Sequence, residues 1–261
     1  MFHQNILCAT DLSPVSDQAM KAAHAIASHL STRVTLLHVL DRKEQDAEVL
    51  ARMQRQVEQA DAAANTELKL LDGDPMKRIA ENSGQGHSLL VLGTHGAHGL
   101  RQKLFGADIL KLVRHSATPS FVVQEGMRLD GLLQRIVLPV AAHANIDRLL
   151  NAVVALAKAF AADVHVYQLM RPGESPSEEL LANKSVMLQR LVSEGVRHVE
   201  VNEPSTSFSV GFAEPTIRYA ERVNAGAIAI MAHASEEYRY IADAEKERLL
   251  ANGARIPVLC A

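Results

Sequence analysis

The sequence predicts two similar α/β domains in tandem, each built on a parallel β-sheet of five strands. Three observations lead to this fold class. The 261 residues are too many for one ordinary domain and suit two of about 130. The chain repeats itself, first at a shift of 130 positions and further along at a shift of 138. Within each half, short apolar runs alternate with helical patterns, which is typical of parallel strands joined by crossover helices.

The repeat consists of two long ungapped registers. The shift of 130 aligns Asp17 with Asp147, and the shift of 138 aligns Gly73 with Gly211. Because these registers match glycine, proline and charged positions as well as apolar ones, chance is a poor explanation for them. Each half is therefore a copy of one folding unit.

We expect one domain over residues 1–126 and a second over residues 133–261, with the join near Glu125–Gln134. The apolar runs show no helical period and predict buried strands. In the first domain the predicted strands are Asn5–Thr10, Val34–Leu40, Glu67–Leu71, Ser88–Leu92 and Pro119–Gln124. In the second they lie near 135–140, 164–169, 196–201, 227–232 and 257–261.

Helices are predicted between the strands. Ser13 or Ser16 could cap the first helix, which Pro14 opens. Residues 42–65 form a polar stretch with apolar positions at helical spacing, which predicts one long amphipathic helix. Gly73-Asp74-Pro75 predicts a turn that opens the third helix, with proline near its first position. A fourth helix is expected from about Ala107 to His115.

Composition excludes several classes of function. The net charge of −3 offers no basic excess for nucleic acid or for an anionic membrane surface. Two cysteines cannot build a disulfide framework, which suits a reducing cytosol. The N-terminus has neither a cationic start nor a long apolar run, and no stretch approaches a membrane span. We expect a cytoplasmic protein that binds neither nucleic acid nor membrane.

A ligand site is expected beyond the carboxyl ends of the strands of the first sheet. Thr10, Asp11 and Ser13 follow the first strand, and Val39 lies at the end of the second. A glycine-bearing loop from Gly93 to Gly106 follows the fourth strand and leads into a helix N-terminus, which suits a phosphate group.

The loop has none of the strongest phosphate motifs. The Walker A motif needs Gly-Lys-Ser/Thr, whereas Gly106 is followed by Ala107-Asp108, and the dinucleotide pattern is also absent. A mobile surface loop with glycines at its turns is the alternative reading. His95 and His98 are a close pair, but a metal site needs three or four converging ligands, so no metal is expected.

The pattern Gly93-x2-Gly96-x9-Gly106 resembles the nucleotide loop of the universal stress protein family. Asp11, Leu37-His38-Val39 and Gly73-Asp74-Pro75 extend the resemblance over residues 1–124, and the internal repeat extends it more faintly over 135–261. The resemblance implies a tandem member with two Rossmann-like domains of the adenine nucleotide alpha hydrolase-like type. In such a pair the last strands, here within Ser120–Val123 and Val258–Cys260, would pair with each other.

The resemblance also implies that ATP binds the first domain, with adenine near the strand-1 aspartate and phosphates on the glycine loop. Asp11 could instead be only a cap at the strand end. Ala107 stands where the family usually has Ser or Thr, which removes one hydroxyl contact, and Asp108 adds a negative charge. The implied contact residues are Thr10, Asp11, Leu12, Ser13, Val39, Gly93, Thr94, His95, Gly96, Gly99, Gly106, Ala107 and Asp108.

The second copy has lost these features. Asp11 aligns with Ala141, and the three glycines align with Met231, Ala234 and Ala244. Ala107 aligns with Glu245, which would repel a phosphate. We expect no nucleotide in this half, which would serve as a structural partner.

The leading hypothesis is a nucleotide-binding stress protein without strong catalysis, because no acid–base or nucleophile set is recognisable. The adenine nucleotide is the expected partner, and a homo-oligomer such as a homodimer stays open. Two other hypotheses remain. One is an interaction scaffold that has lost its ligand, and the other is a weak ATPase.

Overall fold

The computed structural model describes residues 4–41, 44–94, 109–205, 211–234 and 241–261. In the first half the strands are β1 (Asn5–Ala9), β2 (Val34–Leu40), β3 (Thr66–Asp72), β4 (His87–Thr94) and β5 (Ser120–Gln124). Its helices are α1 (Pro14–Leu30), α2 (Asp46–Gln59), α3 (Pro75–Ser83) and α4 (Ile109–His115).

The second half repeats this order. Its strands are β6 (Arg135–Pro139), β7 (Asp163–Met170), β8 (His198–Pro204), β9 (Ala227–Ile230) and β10 (Val258–Cys260). Its helices are α5 (Asp147–Phe160), α6 (Glu178–Ser193), α7 (Ala213–Arg222) and α8 (Ala242–Leu250). All ten predicted strands are present, with boundaries that differ by a few residues from those expected.

The ten strands form one continuous sheet in the order β3-β2-β1-β4-β5-β10-β9-β6-β7-β8. Within each half the strands are parallel, and the order reads the same from either edge towards the centre. The expected pairing of the last strands is confirmed. β5 and β10 run antiparallel, with Phe121 opposite Leu259 and Val122 opposite Val258.

Two apolar cores lie on the two faces of this sheet, and each continues across both halves. Successive side chains of a strand point to opposite faces. Phe121 therefore packs in the core that holds Leu138, whereas Val122 packs in the core that holds Val137. The two domains are thus joined by shared packing as well as by strand pairing.

The predicted helix over residues 42–65 is shorter in the structure. α2 ends at Gln59, and a short 3₁₀ turn follows at Ala63–Asn65. Asp61 adopts a left-handed backbone conformation with φ of 55°. An L-residue in that conformation cannot continue a right-handed helix, so the helix stops there.

A polar contact also crosses from one domain to the other. Arg114 of α4 donates from Nε to the carbonyl oxygen of Ala232 at 3.0 Å, and its two terminal nitrogens donate to the carboxylate of Asp243 in α8. The pKa of Asp243 is lowered, mainly by the hydrogen bond from Arg114; burial opposes this shift, and the charges of Arg114 and Lys246 add to it. Across the described ranges, no helix is long and apolar enough to cross a membrane.

Candidate functional site

The loop after β1 begins with a buried threonine that ties it to α2. The Thr10 hydroxyl donates to Gln56 Oε1 at 2.8 Å, and Gln56 Nε2 donates to Asp17 Oδ1 at 2.6 Å. The same hydroxyl oxygen accepts from the backbone N–H of Leu12 at 2.9 Å. Because these partners occupy the hydroxyl of Thr10, its side chain positions the loop.

Asp11 lies at the carboxyl end of β1, where the sequence predicted it. Its Oδ1 accepts hydrogen bonds from the Ser16 hydroxyl at 2.6 Å, from the Ser13 backbone N–H at 3.1 Å and from the Ser13 hydroxyl. Its Oδ2 has no partner among the described residues. The carboxylate is therefore held in one orientation, with one oxygen engaged in the loop and the other available.

The predicted capping by Ser13 or Ser16 takes a different form. Ser13 does stand at the N-cap position of α1, but its side chain makes no hydrogen bond to a backbone N–H of the helix. Both hydroxyls donate to Asp11 instead. The two hydroxyls bond to the carboxylate of Asp11 and not to the helix backbone, because hydrogen bonds to a charged acceptor are stronger than those to neutral groups.

Leu12 adopts a left-handed conformation with φ of 60°. This conformation costs a non-glycine residue about 1–2 kcal/mol, and it cannot be read from the sequence. The hydrogen bonds on both sides of Leu12, made by Thr10 and Asp11, hold the tight turn in place. The turn brings residues 10–13 together at the edge where a ligand is expected.

A buried histidine joins the loops after β1 and β2. His38 bonds through Nδ1 to the carbonyl oxygen of Thr10 at 2.9 Å and through Nε2 to Glu44 Oε2 at 3.1 Å. The pKa of Glu44 is lowered: burial opposes ionisation, but the backbone N–H of Asp41, His38 and the charge of Arg52 together outweigh it. Val39, the other predicted contact on β2, is almost fully buried.

Gly93 serves helix packing as well as the predicted loop. A Cβ atom on Gly93 would lie 2.9 Å from the carbonyl oxygen of Val15 in α1. The first turn of α1 therefore approaches β4 so closely that only glycine fits. Thr94, the last residue of β4, is buried beside it. His95, Gly96, Gly99, Gly106, Ala107 and Asp108 lie outside the described residues.

The corresponding edge of the second domain is apolar. Ala141, Leu169 and Met231 stand at the positions equivalent to Asp11, Val39 and Gly93, and all three line a small cavity. No carboxylate is present at the end of β6 to take the place of Asp11. An apolar wall therefore stands where the first domain has the carboxylate of Asp11.

Glu245 has a role that the sequence did not reveal. It was expected to repel a phosphate, and in the structure its Oε2 accepts a hydrogen bond from the backbone N–H of Ala213 at 2.7 Å. In the first domain Asp74 caps α3 by accepting from the N–H of Lys77 at 2.8 Å. The equivalent residue in the second domain is Phe212, which cannot cap, so a carboxylate from α8 stabilises the start of α7.

The two cysteines are free and buried, as expected of core thiols. Burial raises the pKa of the Cys8 thiol well above its usual range and that of Cys260 to about 12. Neither thiol is therefore an activated nucleophile. Within the described ranges, no cluster of three or more His, Cys, Asp or Glu side chains could hold a metal ion.

His143, which lines the small cavity of the second domain, should make the stability of the fold depend on pH. Burial, followed by the charges of Lys246 and His233, lowers its pKa to about 4 from the usual 6.5. Between these values the unfolded chain binds a proton that the folded chain excludes, so stability falls as the pH drops from about 6.5 to about 4. Urea unfolding of wild type and His143→Gln across this range should show a shallower fall in the variant. The exposed His115→Gln serves as control, and equal slopes for all three proteins would contradict the expectation.

The fold and the loops at its carboxyl edge define a tandem pair of Rossmann-like α/β domains. A universal stress protein from Archaeoglobus fulgidus shares this fold, with a TM-score of 0.73, 18% identity and coverage of 98% of this chain and 97% of that one. A putative universal stress protein from Pseudomonas aeruginosa gives a TM-score of 0.60 at 16% identity, covering 98% and 92% of the two chains. At this identity the two structures establish the fold.

Sequence comparison finds relatives of the first half of the chain. The model of the universal stress protein family matches residues 3–124. A universal stress protein of Methanocaldococcus jannaschii is 27% identical over 143 residues, which cover 47% of this chain and 83% of that relative. The first domain is thus similar in sequence to the universal stress protein family.

Proposed function

We propose that the first domain binds an adenine nucleotide, with ATP as the expected ligand. We also propose that the chain acts in a cytoplasmic stress response without strong catalysis of its own. The observation that carries the proposal is the fixed carboxylate of Asp11. One of its oxygens is engaged by Ser13 and Ser16, and the other is available at the carboxyl edge of β1.

Asp11 alone does not define a nucleotide, but its neighbours support one. An adenine needs a polar acceptor for its amino group and an apolar surface for its ring. Oδ2 of Asp11 can supply the acceptor, and the half-buried Leu12 can supply most of the surface, since Val39 of β2 is almost fully buried. β4 ends beside α1 at Gly93, so the loop predicted to hold phosphates starts at this same edge.

The proposal predicts saturable binding of ATP by the purified, ligand-stripped chain in isothermal titration calorimetry. Gly106→Val should abolish that binding, because a β-branched side chain would occupy the predicted phosphate cradle. Gly253→Val is the matched control, since a Cβ at Gly253 meets no atom within 4 Å. The control should keep both the fold and the binding of ATP.

Either of two experimental outcomes would favour a different function. Absence of binding by the wild-type chain at millimolar ATP would favour the interaction scaffold. Release of phosphate above background, lost in Gly106→Val and retained in Gly253→Val, would favour a weak ATPase.

A further inference from the structure

A small cavity lies at the carboxyl edge of the second domain, at the place that corresponds to the proposed nucleotide site of the first. Its volume is about 70 Å³, and it opens between the ends of β6, β7 and β9. Its wall is mainly apolar. The apolar side chains that face it include Ile146, Leu149, Met187, Phe212 and Ile230. This wall would not accommodate the polyphosphate of a nucleotide.

A lysine is buried against this apolar wall. Lys246 is only 4% exposed, and its Nζ donates to the carbonyl oxygens of Met231 at 2.8 Å and His233 at 2.7 Å. An ammonium group has three N–H donors, so one donor has no acceptor among the described residues. No carboxylate in the described ranges lies within ion-pair distance of Nζ.

The other charged and titratable groups around Lys246 do not neutralise it. Asp243 is engaged by Arg114, which brings a second positive charge. Cys260 on β10 is a neutral thiol, because burial raises its pKa to about 12. His143 is neutral above about pH 4, and His233 also lies near it. The pKa of Lys246 is accordingly lowered to about 8, mainly by burial, yet the ammonium form predominates at pH 7.

Two residues that line the cavity also carry polar groups without a hydrogen-bond partner in the described part of the chain. The imidazole of His143 makes no hydrogen bond there. Tyr167 is 2% exposed, and its hydroxyl is buried without a hydrogen-bond partner. Buried polar groups are normally hydrogen-bonded, and an unpaired buried charge is costlier still. A ligand that brings an acceptor beside Lys246 would satisfy the third donor of its ammonium group.

We propose that the second domain binds a short-chain aliphatic monocarboxylate, with the carboxylate at Lys246 and His143 and the alkyl chain against the apolar wall. The carboxylate supplies the missing countercharge, and the alkyl chain suits the lining. The cavity is about half the volume of the roughly 150 Å³ cavity that holds a benzene molecule. Butyrate has as many heavy atoms as benzene, so the cavity would enclose only about half of it and the rest would lie at the opening between β6, β7 and β9, which makes butyrate the upper limit of size. This site is independent of the nucleotide proposed for the first domain.

Butyrate is the probe that tests the proposal, by saturation-transfer NMR on the full chain without nucleotide. Wild type should bind butyrate saturably at millimolar concentrations, and 1-butanol, which lacks the charge, should bind at least tenfold more weakly. Binding should weaken as the pH rises above about 8, because Lys246 then loses its proton.

Two variants separate the two parts of the site. Lys246→Met should weaken butyrate binding at least tenfold by removing the charge. Ala141→Phe keeps the lysine and fills the cavity from a half-exposed position, so it should also abolish binding and decides the question if Lys246→Met fails to fold. Lys158→Met, which changes a half-exposed lysine paired with Glu194, should bind normally.

Absence of saturable binding by the wild-type chain would overturn the proposal, as would undiminished binding by a folded Ala141→Phe. Neither result depends on whether ATP binds the first domain. Conversely, a failure of ATP to bind leaves the butyrate test unchanged.

Discussion

Replacing Gly93 with alanine should lower the free energy of unfolding by about 1–3 kcal/mol and abolish ATP binding as well. The added Cβ would lie 2.9 Å from the backbone carbonyl oxygen of Val15 and 3.0 Å from its carbonyl carbon. Backbone atoms cannot rotate away as a side chain can, so α1 must move from β4. The movement would also displace Ser13 and Ser16, which hold Asp11 in place.

Urea unfolding and calorimetry with ATP measure the two effects of Gly93→Ala. Gly253→Ala is the control, because its Cβ would meet open space. A variant at Gly93 with wild-type stability and wild-type ATP affinity would show that the close approach of α1 to β4 does not constrain the site.

Truncating Phe121 to alanine should cost about 3–5 kcal/mol. Phe121 is fully buried in the middle of the ten-stranded sheet, beside Val91 on β4 and opposite Leu259 on β10. Its removal leaves a cavity in a core that both domains share. Because the strands of the two domains pair directly, we expect the chain to unfold in one transition before and after the change.

Thermal unfolding followed by circular dichroism and by calorimetry tests this expectation. Leu181→Ala is the control at an exposed site, where the side chain is 47% exposed and the change should stay within about 0.5 kcal/mol. A large stability loss confined to the first domain, with the second unfolding separately, would contradict the shared core.

The fold was largely predictable from the sequence because its signals are local and repeated. The apolar runs marked all ten strands, and Gly73-Asp74-Pro75 marked the start of α3, where Asp74 does cap the helix. The helix over residues 42–65 was predicted too long, since its amphipathic pattern continues past the left-handed residue Asp61. Backbone conformation at one residue leaves little trace in composition.

The site was predictable only in outline. Asp11 was placed correctly at the end of β1, but its bonds to Ser13 and Ser16 depend on the turn at Leu12. The link from His38 to Glu44 joins residues in different elements. Such contacts depend on how elements pack, and a single sequence carries no direct record of them.

In the second domain, α8 gives the clearest example of a contact that the sequence does not reveal. The alignment showed Glu245 in place of Ala107, and its charge suggested repulsion of a phosphate. Its bond to Ala213 spans 32 residues and has no local signature. The repeat did indicate that α7 lacks its own cap, since Phe212 stands at the position where Asp74 caps α3 in the first domain.

Photolabelling with 2-azido-ATP, followed by mass spectrometry of the labelled peptides, tests the central claim that one domain binds a nucleotide and the other does not. The account predicts ATP-protectable label in peptides that contain residues 10–16 or 37–41, and none in peptides that contain residues 139–146. Protectable label in the second domain, or equal label in both, would contradict it.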